Sequence, residues 1–137
     1  MKTYSFENLE CWQNARKLAT WIYQITQDFP GVEKFGLSSQ MRRAAISIAS
    51  NIAEGTSRKT LKDQAHFSTI AYSSAIELLN DLIITNDLNF LSKEYYEEGR
   101  ELIEKQTKLI SSLRRYQETK GSENLNLKPQ NSTPSKP

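Results

Sequence analysis

Five cations lie close together in the chain: Arg42, Arg43, Arg58, Lys59 and Lys62. Guanidinium and ammonium groups bind phosphate oxygens, and a cluster of them gives salt-dependent, sequence-independent affinity for nucleic acid. Trp12, Trp21 and Tyr23 could stack unpaired bases beside such a patch, although their spacing fits ordinary core or interface packing better. The cluster also has a competing account, electrostatic pairing with acidic groups within one subunit or across an interface. Asn51 and Glu54 are a second polar feature, set among small residues and followed by Gly55. Such a pair reads as a hydrogen-bonding device before it reads as a ligand site.

Catalytic chemistry finds little footing. A di-metal bundle needs several inward glutamates and two Glu-x-x-His pairs. The chain has one histidine, His66, with Asp63 three residues before it. It reads as a surface or helix-end histidine, and no metal is expected. Cys11 is the only cysteine and has no histidine at a telling spacing, so no thiol nucleophile is expected. No Gly-rich phosphate loop is present. Ser39, Ser47 and Ser50 read as small packing residues. The expectation is a non-enzymatic protein with no catalytic residues and no cofactor.

The elements that must position these residues are helical. The central stretch, 36–55, repeats Met41, Ala45, Ile48 and Ile52 at spacings of four, three and four. Arg42, Ile46, Ala49 and Ala53 form a second stripe beside the first. Its many small residues predict a helix approached on more than one side. Ser38 or Ser39 is expected to cap its start, and Gly55 to end it in the left-handed conformation. A first helix is predicted over 7–29, closed by Phe29-Pro30-Gly31. A third is predicted over 61–87, capped by Thr60 and buried along Phe67, Ile70, Ala71, Ser74, Leu78 and Leu82. A fourth is predicted over 93–118, capped by Ser92. From 119 the apolar pattern stops, and proline, serine, asparagine and lysine dominate. The expected fold is all-α, an antiparallel up-down four-helix bundle over 1–118 with a disordered C-terminal tail over 119–137.

The formal net charge is +2. Residues 36–62 carry the five cations against Glu54 alone, a net +4. Residues 63–87 carry Asp63, Glu77, Asp81 and Asp87 without a base, a net −4. Residues 1–35 and 88–119 balance, so the excess positive charge lies in the tail. This neutrality favours pairing of the basic cluster over a general grip on nucleic acid. No apolar run is long enough to span a bilayer, so no membrane association is expected. One cysteine and no apolar leader point to the cytoplasm.

Several segments together resemble the four-helix-bundle proteins of the 23S ribosomal RNA intervening-sequence family. They are Phe6-Glu7-Asn8-Leu9-Glu10-Cys11-Trp12-Gln13, Gly36-Leu37-Ser38-Ser39-Gln40-Met41-Arg42-Arg43-Ala44-Ala45, Ser47-Ile48-Ala49-Ser50-Asn51-Ile52-Ala53-Glu54-Gly55, Arg58-Lys59-Thr60, and Ser74 with Glu77-Leu78. The family often has proline where this chain has Ala49. The resemblance implies an antiparallel bundle and, in related proteins, a ring-like homopentamer. The chain is also similar to the accessory variability protein of diversity-generating retroelements, which implies nucleic acid and a reverse transcriptase as partners.

The resulting expectation is a self-assembling helical bundle associated with RNA or DNA, or acting as a scaffold. The alternative is a protein-binding adaptor with no nucleic-acid role, its basic helix consumed in assembly. Surplus apolar residues (the second stripe of 36–55, Trp21 and Ile25, Tyr95 and Tyr96) predict exposed patches and hence a homo-oligomer.

Overall fold

The computed structural model describes residues 1–131, with side chains through Glu123. Helices α1 (Glu10–Thr26), α2 (Leu37–Thr56), α3 (Leu61–Asp87) and α4 (Lys93–Asn131) form a bundle, and no strand occurs among the described residues. Each helix packs on two neighbours, in the cyclic order α1, α2, α3, α4. Contacts give the directions. On α2 and α3, Gln40 meets Asp81, Ser47 meets Ser74 and Gly55 meets Phe67. On α3 and α4, Gly121 lies near Leu61, Ser68 meets Gln117 and Leu82 lies against Gly99. On α1 and α4, Cys11 meets Gln106 and Trp21 meets Gly99. In each pair one number falls as the other rises, so these neighbours run in opposite directions.

The core follows the apolar stripes. Met41, Ala45, Ile48 and Ile52 of α2 are buried against Leu18 and Ile22 of α1, Leu78 and Leu82 of α3, and Ile103 and Ile110 of α4. The second α2 stripe is not enclosed: Ile46 is exposed, and Arg42, Ala49 and Ala53 are half-buried. Trp21 and Ile25 are core residues rather than an exposed surplus, at 8% and 5% exposure. Gly99 makes this possible. A Cβ there would stand 2.6 Å from Cη2 of Trp21, so only glycine leaves the indole its place.

Buried polar ties fix the helix register. Asn14 Nδ2 donates to Gln106 Oε1 at 2.7 Å, and Gln106 Nε2 donates to the Cys11 carbonyl at 3.0 Å. Ser68 Oγ donates to Gln117 Oε1 at 2.7 Å. A slip of one residue would strand these groups in the core without partners.

The element ends depart from the sequence pattern in four places. Ser5–Asn8 is a 3-10 turn, and Leu9 is extended, so α1 begins at Glu10 rather than near residue 7. The Glu7 carboxylate accepts from the Tyr4 amide at 2.8 Å and holds that turn. The start of α2 is served by Glu33, whose Oε1 accepts from the Leu37 amide at 3.2 Å, and Ser38 is buried inside the helix. Gly55 is helical and has no positive φ. Its missing Cβ would stand 3.1 Å from that of Phe67, so it serves close approach of α3. The left-handed residue is instead Asn89, at φ 61°, in the turn before α4. Lastly, α4 continues past Glu118 to Asn131. Gln117 ties it to α3, and Gly121 lies beside Leu61. Of the expected tail, residues 119–131 thus continue the helix, and 132–137 lie outside the described residues. Thr60 and Ser92 cap α3 and α4 as expected, accepting from the amides of Asp63 and Tyr95.

Candidate nucleic-acid interface

The five cations do not form one patch. Arg42 and Arg43 lie in the second turn of α2, whereas Arg58, Lys59 and Lys62 surround the turn from α2 to α3. The helical rise separates the two groups by about 20 Å.

At the first end, the reversal through Phe29-Pro30 brings the start of α2 alongside the end of α1. Arg42 bridges the two helices. Its Nε donates to Thr26 Oγ1 at 2.8 Å, and an amino group donates to the Tyr23 carbonyl at 3.3 Å. One bond goes to a hydroxyl and the other to a carbonyl of the last turn of α1, so Arg42 ties that helix end to α2. The guanidinium carbon also lies 4.7 Å from the centre of the Tyr23 ring. Arg43 is exposed and, among the described residues, donates only to Ser39, at 2.6 Å. Lys34, on the connection from α1, lies 5.5 Å from the Phe35 ring centre. Together these residues and Ile46 line an open groove of about 650 Å³ that no carboxylate lines.

At the second end, Arg58 approaches Asp63 at 4.0 Å and lies over the Phe67 ring. Lys59 and Lys62 are exposed and make no ion pair among the described residues. Pairing between the basic segment and α3 is thus confined, within the subunit, to Arg58 and Asp63. Asp81, the buried acid of α3, is held by amides: Gln40 donates at 3.0 and 3.2 Å, and Asn80 at 3.3 Å. Burial pushes its carboxyl above the ordinary carboxylate range, with the amides pulling the other way.

Asn51 and Glu54 also part company. Asn51 Nδ2 donates to the Ser47 carbonyl at 2.8 Å and to Ser47 Oγ at 3.1 Å. Ser47 Oγ in turn pairs with Ser74 Oγ at 2.8 Å, which links α2 to α3. Glu54 is exposed and makes no side-chain bond among the described residues, so it is no part of a buried tie. His66 is an exposed surface residue. Cys11 is buried, and its thiol is pushed up to about 12 by desolvation, which keeps it protonated at neutral pH. Among the described residues no group of three or more His, Cys, Asp or Glu side chains is placed to hold a metal ion.

Of the aromatic residues with a stacking role in view, Trp21 is in the core and Trp12 packs edge-on against Phe6. Only Tyr23 stands beside the cations. Phe35, the groove's most exposed ring at 88%, was not singled out by periodicity, because it belongs to no helix stripe. Its signal was an aromatic residue between Lys34 and Gly36 in a polar connection.

Fold and surface together define a four-helix bundle with a basic patch at each end of its second helix and, between them, an apolar core tied by a few buried polar groups. The chain belongs to the 23S rRNA-intervening sequence protein family, whose model matches residues 7–112. It is similar to a solved structure of a protein of unknown function from the S23 ribosomal protein family of Bacteroides thetaiotaomicron. Identity is 22%, over 76% of this chain and 97% of that one, with a TM-score of 0.69. That likeness concerns the fold. No curated protein matches the chain.

Proposed function

We propose that the protein is a non-catalytic, nucleic-acid-associated bundle that works as a homo-oligomer. The observation that supports this most is the state of the cations. Arg43, Lys59 and Lys62 are exposed at two separate places and meet no carboxylate among the described residues. Cations left in this state attract phosphates through counterion release. Membership of the family is consistent with that reading, and the sequence resemblance noted above makes a pentamer the expected assembly. Self-association is supported by the outer face of α3, where Ile76, Ile83, Ile84 and Leu88 are all exposed. No described helix is long and apolar enough to cross a membrane, and a buried free thiol suits the cytoplasm.

Filter binding of structured RNA and of duplex DNA at low and moderate salt tests the association. The expected result is affinity in the micromolar range or better at low salt that weakens as salt rises. No binding at low salt would leave the second reading, a protein-binding adaptor, which the apolar α3 face favours. Light scattering tests the assembly, and a monomer mass would remove that part.

A further inference from the structure

We infer that the groove at the start of α2 is a site for single-stranded nucleic acid, with unpaired bases stacking on Phe35 and Tyr23 and phosphates held by Lys34, Arg42 and Arg43. The inference rests on the nucleic-acid reading above and adds the form of the ligand. Phe35 holds its ring in water at 88% exposure, and Tyr23 is 42% exposed. An aromatic ring kept out of the core on a connection is an open stacking surface, and every base has a face that fits it. Each ring has a cation over one face, at 5.5 Å for Lys34 and 4.7 Å for Arg42, so a base stacks on the opposite face. In a single strand each base likewise carries a phosphate beside it, so ring and cation match base and phosphate.

Arg42 is prepared for this. Its Nε and one amino group are engaged by Thr26 and the Tyr23 carbonyl, which orients the fork and leaves the other amino group without a partner among the described residues. Arg43 has donors to spare beyond its bond to Ser39. The volume, about 650 Å³, lies in the range of sites that enclose small organic ligands. A duplex has its bases stacked inside and offers this surface only phosphates. At the far end of α2 the ring under Arg58, Phe67, is half-buried.

The test measures fluorescence anisotropy of labelled oligouridylate and oligodeoxythymidylate of about 12 nucleotides, and of a duplex of equal length, with the full chain. Single strands should bind more tightly than duplex. Phe35→Ala should weaken single-strand binding about tenfold without changing duplex binding, and Phe35→Trp should restore it. Phe35 is too exposed for either change to threaten folding. Equal affinity for single strand and duplex, unmoved by Phe35→Ala, would overturn the inference and leave nucleic-acid association standing. Absence of binding to every probe at low salt would remove both. A drop in oligomer mass with Phe35→Ala would assign the groove to a second copy of the chain, and that also overturns the inference.

Discussion

The two ends of helix α2 carry cations of different kinds. At the first, Arg42 is fixed by two hydrogen bonds and an aromatic ring, in a groove with apolar walls. At the second, Arg58 leans toward Asp63 across a half-exposed gap, and two lysines extend into solvent. Counted in sequence, they made one run of +4. In space they are two surfaces, one ordered and one loose. Like charge within a window of sequence therefore says little about a shared site when a helix of 20 residues lies inside that window.

The contrast is open to challenge by substitution, and the effects should fall in a definite order. Arg42→Ala removes bonds from a charged donor to two α1 acceptors and should cost about 2 kcal/mol, seen as a lower melting temperature by circular dichroism. No change would mean that Arg42 is as loosely held as the lysines. Asp81, near the same end, supplies the second test. Its carboxyl prefers the proton in the folded state. Its contribution is thus full below the ordinary aspartate range and is lost as pH rises through the shifted one. Melting temperature should fall over that interval in the parent relative to Asp81→Asn, and parallel curves would contradict the assignment. At the second end, Arg58→Ala should cost no more than about 0.5 kcal/mol, since an exposed pair at 4.0 Å contributes little. Glu54→Ala should also stay within about 0.5 kcal/mol in denaturant melts, because its exposed side chain makes no hydrogen bond or ion pair among the described residues. A loss of about 1–3 kcal/mol would restore the buried tie that the sequence suggested.

How much was legible follows from the range of each signal. The stripe Met41, Ala45, Ile48 and Ile52 is a local periodicity, and all four residues are buried. Thr60 and Ser92 announce helix starts because capping acts within three residues. Gly55 and Gly99 were harder. Whether a glycine ends a helix or admits a neighbour depends on a side chain elsewhere in the chain, here Phe67 or Trp21. The Asn14–Gln106 tie joins residues 92 positions apart and leaves no local trace. In the candidate site, Arg42, Arg43 and Tyr23 were readable as residue types. Their union with Phe35 was not, because it depends on the α1–α2 reversal. Glu54 was misread although the stripe places it opposite Met41, Ala45, Ile48 and Ile52: its small neighbours suggested close packing on that side as well.

The central claim, that exposed cations at two separate ends of α2 bind phosphate backbone, is tested most directly by the salt dependence of RNA affinity. Anisotropy titrations of the parent, Arg43→Ala, Lys62→Ala and the double variant across a salt series would give the slope of log affinity against log salt. The account predicts that each single change lowers the slope by about one and that the two together lower it by about two. A slope that neither substitution moves, or an affinity indifferent to salt, would contradict it.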